Sequence, residues 1–282
     1  MRLVHSGKVK DVYEVDPNNY LFHFTDRVSA FDIPMITPIA GKGEILCKFA
    51  EFWFNTLNIE NHMIRKQGCD KMLVKRLTMI PIEFVVRGYL YGTLYDRYRR
   101  DELKNLIALG DNPMIASKLL WPICDPTTKS NIHDRPISSS NILEQHLLNS
   151  DELSKIQDIS LNLYKDMSDL AEIAGFIIAD VKFEFGKDPQ SGEILLADSI
   201  GPDEFRIWSK SQYLPGSAQN SYDKQYLRDW LTNIKFKEKV DFLSKDGSKP
   251  IPPSLPKEVV QELLNRYAYV YQKITSTQKS KS

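Results

Sequence analysis

The stretch Ile177-Ile-Ala-Asp-Val-Lys-Phe-Glu-Phe-Gly186 carries three charged residues at alternate positions. Read with a period of two, Asp180, Lys182 and Glu184 share one face, and Ile177, Ala179, Val181, Phe183 and Phe185 share the other. An acid, a base and an acid facing outward together could hold a cation and an anionic substrate side by side; cross-strand ion pairs on an exposed sheet would give the same pattern. The turn formers of Gly186 to Gly192 predict a hairpin, with Glu193 to Ser199 as the returning strand. Asp198 then comes back beside the charged face if the register has the right parity. Glu184 and Asp198 would suit Mg²⁺, which binds through one or two carboxylates plus substrate phosphates, and Lys182 would balance an anionic substrate.

Further cations stand where phosphate chemistry could use them. Gly7, Lys8 and Lys10 lie at the mouth of a hairpin formed by residues 3–15 and the strand Tyr20 to Thr25. Glycine lets a polyphosphate approach the backbone and the ammonium groups supply countercharge, although a plain surface hairpin would look alike. Lys75 shares a strand face with Leu73 and Leu77, a placement that in nucleotide-binding folds meets the α- or β-phosphate; a snorkelling side chain is the other reading. Arg87 ends the strand that starts at Ile80, and Gly92 and Thr93 follow. A guanidinium, helix N-terminal amides and a hydroxyl would make a phosphate site, while an ion-paired Arg and a capping Thr would need no ligand. Ser29 and Asp32 fall in the polar segment Asp26 to Asp32. Lys129 and Asp134 fall in Thr127 to Asp134, the polar part of a loop predicted over residues 111–140 with four prolines.

Helices must frame these strands. Ile45, Leu46, Phe49, Phe52, Trp53 and Leu57 recur at helical spacing within Gly41 to Leu57. A long amphipathic helix is predicted from Ser150, as its cap, to Ala174 before Gly175, feeding directly into the charged strand. A shorter one spans Tyr222 to Thr232, and after the spacer Pro250 to Pro256 a closing helix runs from Lys257 to Thr275; Ser276 to Ser282 should be disordered. With 282 residues, 42% of them apolar, the chain can build one large or two smaller cores. Lys plus Arg and Asp plus Glu both number 37, so no net charge favours capture of nucleic acid or an anionic membrane. Arg97, Arg99 and Arg100 read as a solvated helix face. Cys47, Cys69 and Cys124 lack metal-ligand spacing and suit a reducing compartment. Without an apolar leader or a membrane-length apolar run, a soluble cytoplasmic protein is expected.

Together these segments resemble the SAICAR synthetase family of purine biosynthesis. The resemblance runs from Gly7-Lys-Val-Lys-Asp-Val-Tyr13 to Ser221-Tyr-Asp-Lys-Gln-Tyr-Leu-Arg-Asp-Trp230. Its most specific pieces are Pro81-Ile-Glu-Phe-Val-Val-Arg-Gly-Tyr-Leu-Tyr-Gly-Thr93 and Ala179-Asp-Val-Lys-Phe-Glu-Phe-Gly186. It implies an α+β fold related to ATP-grasp enzymes, antiparallel sheets with flanking helices, and ATP between two parts. These are a nucleotide-binding part over residues 1–79, whose sheet is similar to that of protein kinases, and a part over residues 80–282 with the metal and ribonucleotide sites. The implied activity is an ATP-dependent ligase joining carboxyaminoimidazole ribonucleotide (CAIR) to L-aspartate through an acyl phosphate, with ATP and Mg²⁺ as cofactors. Another carboxylate–amine pair, or a nucleotide-binding module that has lost catalysis, are the alternatives. A homo-oligomer is compatible with the sequence and not specified by it.

By the same resemblance Lys8, Lys10 and Lys75 contact ATP phosphates, and Glu184 and Asp198 hold Mg²⁺ beside ATP. Arg87, Thr93 and Arg206 clamp the ribonucleotide phosphate, Lys182 lies against the substrate carboxylate, and Asp203 sits near the imidazole or ribose. Arg87, Lys182 and Arg206 are therefore the catalytic candidates. Ser29, Asp32, Lys129 and Asp134 shape the ribonucleotide and aspartate sites. The chain departs from the family pattern in two places: Asp198-Ser199 stands where Asp-Glu is usual, and Gly201-Pro-Asp-Glu-Phe-Arg206 where Thr-Pro-Asp-Ser-Ser-Arg is usual. The first removes a charge near the proposed metal, and the second puts Phe205 in place of a small polar residue beside the clamp.

Overall fold

The computed structural model describes residues 1–103, 106–129 and 135–279. The chain opens with β1 (Arg2–Ser6), β2 (Lys10–Asp16) and β3 (Asn19–Phe24), passes through the small pair β4 (Ser29–Ala30) and β5 (Ile33–Pro34) and α1 (Lys42–Thr56), and adds β6 (Met63–Gln67) and β7 (Lys71–Lys75). These make an antiparallel sheet in the order β1-β2-β3-β7-β6. Then follow β8 (Thr78–Tyr89), α2 (Thr93–Arg99), β9 (Lys118–Thr128), α3 (Ser139–Glu144), α4 (Ser150–Ile173), β10 (Phe176–Lys187), β11 (Ile194–Ala197) and β12 (Phe205–Ser209). Their strands form a second antiparallel sheet, β11-β10-β8-β9, with β12 on β10. The chain ends with α5 (Gln225–Asn233), α6 (Phe236–Leu243) and α7 (Lys257–Lys279). The class is α+β, as the sequence implies.

The apolar residues predicted for α1 do fill the core: Phe49 and Trp53 are fully buried, and Tyr271 of α7 meets Phe49 edge-on at 5.2 Å. One continuous apolar cluster runs from these helices through α4 to the inner faces of both sheets. Where Gly88 of β8 passes under α4, a side chain would lie 1.9 Å from the Tyr164 hydroxyl, which itself donates to the Ile178 carbonyl at 2.8 Å. The strand–helix–strand frame is therefore held at backbone contact distance.

Four sequence expectations change. Lys118–Thr128 is the strand β9 and not loop, in spite of Pro122 and Pro126. It is the outermost strand beside β8, where a missing N–H costs no ladder bond on the open side. Asn149, not Ser150, caps α4, in a reciprocal box with Glu152. Thr93 is the first helical residue of α2, and Gly92, at φ 56°, precedes it without a side-chain cap. Ser276 to Lys279 continue α7, and residues 280–282 lie outside the described residues. No helix among the described residues is long and apolar enough to cross a membrane.

Candidate active site

The charged face of β10 is built by register. Asp180 lies opposite Arg87 on β8 and opposite Arg206 on β12, so one acid sits between the two clamp arginines. Its carboxylate accepts from Arg206, and Arg87 Nη1 stands 3.8 Å away. Arg87 is further fixed by Asp125 at 2.7 Å, and its Nη2 donates to the Thr93 hydroxyl at 3.0 Å. Burial works against the Arg206 cation, but the Asp180 and Asp223 carboxylates together outweigh it and raise the guanidinium above its ordinary value. Gly92 leaves room for this clamp, since a Cβ there would lie 2.7 Å from Arg206 Nη2.

Further along the strand Glu184 faces Glu83, two like charges directly opposite. Lys182 relieves them, donating to Glu83 at 2.9 Å and to Glu184 at 2.7 Å. Burial opposes the Lys182 charge, yet Glu184 and Glu83 hold the ammonium well above its usual range. The second Glu184 oxygen accepts from Lys129.

Asp198 reaches the site by an unexpected route. Ala197 pairs with Glu184, so a strand continuing in the same twist would turn Asp198 to the opposite face. A left-handed φ of 60° at Asp198 breaks the alternation, and its carboxylate meets Lys10, which also donates to the Ser199 hydroxyl at 2.8 Å. Burial works to raise the Asp198 carboxyl, but Lys10, Lys182 and Lys129 together push it below the usual carboxylate range. His62 lies 3.1 Å from the Asp198 carbonyl through Nε2 and is buried edge-on between Phe22 and Phe54.

Two cavities flank this centre. The first, of about 240 Å³, is lined by Gly7, Lys8, Lys10, Lys75, Lys129 and Asp198, with an apolar wall of Val12, Tyr20, Phe22, Leu77 and Met79. A flat apolar slot beside four lysines suits a purine base with a polyphosphate. Lys8 also pairs with Asp32, whereas Lys75 has no acidic partner among the described residues. The second, of about 250 Å³, is lined by Arg87, Thr93, Lys182, Arg206 and Arg228 and by the acids Glu83, Asp180, Asp203 and Glu204. Glu184 joins the two cavities, gripping Lys182 of the second and Lys129 of the first.

Asp203 is less open than the sequence suggests. Lys42 donates to it at 2.8 Å, Tyr267 of α7 at 2.8 Å, and Lys224 stands 3.7 Å away. Burial works to raise this carboxyl, and Lys224 and Lys42 hold it below the ordinary range all the same. Its main contacts are with the protein, tying α1 and α7 to the wall of the second cavity. Ser29 is buried in β4 and lines neither cavity. Lys129 lines the first cavity and not the second, and Asp134 lies outside the described residues.

Four residues at the site escaped the sequence reading; one of them, Glu204, was noted only within a departure from the family pattern. Glu83, a lone acid within the apolar strand Ile80 to Arg87, carried a visible signal. Arg228 was hidden in a helix read for its apolar face; among the described residues it contacts no carboxylate and only grazes Gln225 at 3.5 Å. His62 had no signal in spacing. As for a metal, Glu184 and Asp198 are hard oxygen donors of the kind Mg²⁺ takes, and both are held by ammonium groups here. Among the described residues no group of three or more His, Cys, Asp or Glu is gathered for a metal, so an ion would need substrate phosphates or water to complete its shell.

Comparison with known proteins agrees with this architecture. A family model described as SAICAR synthetase matches residues 3–242. A phosphoribosylaminoimidazole-succinocarboxamide synthase of Nitrosopumilus maritimus is 44% identical over 98% of this chain and 98% of its own length. The structure of a SAICAR synthase from Saccharomyces cerevisiae complexed with SAICAR superposes with a TM-score of 0.82, at 33% identity over 97% of this chain and 94% of that one. A SAICAR synthetase in complex with ADP superposes at 0.74, with 26% identity over 96% of this chain and 97% of that one. With the family model covering most of its length, the chain belongs to the SAICAR synthetase family.

Proposed function

We propose that this protein condenses CAIR with L-aspartate at the expense of ATP, giving SAICAR, ADP and phosphate. It is a ligase of purine biosynthesis by family, and the finer assignments rest on chemistry. A carboxylate cannot acylate an amine directly because oxide would have to leave. Phosphorylation by ATP turns that oxygen into a phosphate leaving group, which the amine of aspartate then displaces. Such a reaction needs a nucleotide pocket and an anion pocket whose reacting ends meet. The observation that carries this reading is Glu184, whose two oxygens hold a lysine from each cavity.

In this reading the first cavity takes ATP, its base against Phe22 and Val12 and its phosphates among Lys8, Lys10 and Lys75. Arg87, Thr93 and Arg206 take the ribonucleotide phosphate, with the guanidinium groups already oriented by Asp125 and Asp180. Lys182 holds the CAIR carboxylate toward the nucleotide and offsets charge that builds up during transfer. Glu184 and Asp198 would hold Mg²⁺, which when bound neutralises phosphate charge. Residues 1–79 would then form the nucleotide part and 80–282 the ribonucleotide part, working in the cytoplasm, alone or as a homo-oligomer. The test is ADP release by purified protein with Mg-ATP, CAIR and L-aspartate, each omitted in turn, with the product mass confirmed. Release that requires all three supports the assignment; release without aspartate, or none, defeats it.

A further inference from the structure

The acids of the second cavity are all spoken for but one. Asp180 serves Arg206 and Arg87, Asp203 serves Lys42, Tyr267 and Lys224, and Glu83 serves Lys182. Glu204 is half-buried in the same wall, and among the described residues its carboxyl makes no hydrogen bond or ion pair. Its main chain is nevertheless fixed. Its amide donates to the Gly201 carbonyl at 2.9 Å, its carbonyl accepts from the Lys182 amide at 2.9 Å, and the next residue, Phe205, is buried edge-on to Phe49. A long side chain has been placed at a set point of the cavity and left with nothing to bind.

A glycine lies beside it. A Cβ at Gly201 would lie 3.3 Å from Leu46, a tight contact, and 3.4 Å from Glu204 Oε2, the movable end of that side chain. Gly201 and Glu204 are both departures from the pattern Thr-Pro-Asp-Ser-Ser-Arg, and they lie side by side in the fold. Lys10 and Asp198 of the first cavity and Lys182 of the second all act on its charge. The remaining charged lining groups, Arg87, Lys182, Arg206 and Arg228, are cations suited to phosphate and carboxylates. An ammonium group entering this cavity would meet one carboxyl that is without a partner among the described residues.

We propose that Glu204 is a specificity-determining residue that binds the ammonium group of the amino-acid substrate, L-aspartate on the functional reading above, on which this inference rests. Burial and the Asp203 carboxylate raise its carboxyl to about 8, so alone it keeps its proton at neutral pH; an ammonium beside it favours the carboxylate and a charge-assisted bond. The aromatic amine of the ribonucleotide, which carries no charge, has less to gain from the same contact.

Succinate, which is aspartate without its amine, separates recognition of the amine from recognition of the carboxylates. Calorimetric titration of L-aspartate and of succinate into protein preloaded with CAIR, without ATP, is compared for the wild type, Glu204→Gln and Glu204→Ala. The wild type should prefer aspartate, and both variants should lose roughly tenfold or more of that preference while succinate binds as before. In steady state the KM for aspartate should rise by the same factor, with the KM values for ATP and CAIR unchanged. A preference that survives in both variants, a wild type that does not distinguish the two acids, or a loss confined to CAIR overturns the assignment. A wild type that discriminates in binding but makes no SAICAR sinks the functional reading and leaves Glu204 as an amine-binding residue.

Discussion

Glu184→Gln tests the centre of the site. The carboxylate is almost wholly buried, with side-chain exposure of 2%, and accepts from two ammonium groups. A glutamine keeps the shape but offers one oxygen, so its NH₂ must face either Lys182 or Lys129. Breaking a fully buried pair costs about 3–5 kcal/mol. Here the cost is smaller, because Lys182 keeps Glu83 at 2.9 Å and the Lys129 side chain is 46% exposed and can turn to water. We expect a loss of about 1–3 kcal/mol in urea unfolding, with the protein still folded at 25 °C. The effect on turnover should be larger, a fall of about a hundredfold or more, since the group that aligns a lysine from each cavity and offers the metal an oxygen is gone. Substrate-dependent ADP release, measured over a range of Mg²⁺ concentration, reads this directly. An unchanged rate with an unchanged Mg²⁺ dependence would refute both the metal assignment and the role of Glu184 as the joint between the cavities.

Other perturbations probe the flanks. Lys75→Ala removes an exposed ammonium from the wall of the first cavity, so the KM for ATP should rise by about tenfold at an unaltered melting temperature; a KM that stays put would move the nucleotide phosphates elsewhere. Gly92→Ala places a Cβ 2.7 Å from Arg206 Nη2, on a backbone at φ 56° and ψ −135° that favours glycine. It should cost about 1–3 kcal/mol and weaken CAIR more than ATP, and equal effects on both would count against Arg206 as a ribonucleotide clamp. His62, buried and pushed down to about 4 from 6.5, is neutral in the fold and takes a proton more readily when unfolded. Its contribution is present above pH 6.5 and lost as pH falls toward 4, about 3 kcal/mol at about 1.36 kcal/mol per pH unit. Urea unfolding at pH 7 and pH 4.5 should therefore show a steeper acid loss for the wild type than for His62→Phe, and parallel losses would discount the histidine.

How much could be seen beforehand depended on what kind of signal each residue carried. The face of β10 was legible because alternation is a local property, and three charges at every second position survive any tertiary context. The path of Asp198 was not, because a single left-handed residue inverts the parity that the hairpin would otherwise set, and nothing in Leu-Leu-Ala-Asp-Ser announces it. β9 was read as loop because Pro122 and Pro126 are strong punctuation in a central strand and weak punctuation at an edge, and edge position is a matter of topology. Asp203 was expected near the imidazole or ribose from the resemblance, and its tie to Lys42 and Tyr267 was not legible, because those partners are distant in sequence and only packing brings them together.

The departures from the family pattern are the part in which structure adds most. Taken one by one, Ser199 looks like a lost charge and Phe205 like an intrusion beside the clamp. In the fold Ser199 still serves Lys10 through its hydroxyl at 2.8 Å, and Phe205 is buried against Phe49, while Arg206 Nε beside it is buried without a hydrogen-bond partner among the described residues. The loop from Asp198 to Arg206 thus holds both departures, with Gly201 beside the carboxyl of Glu204. A half-buried carboxyl with no protein partner among the described residues costs free energy unless a ligand satisfies it, which argues against a chain drifting away from catalysis.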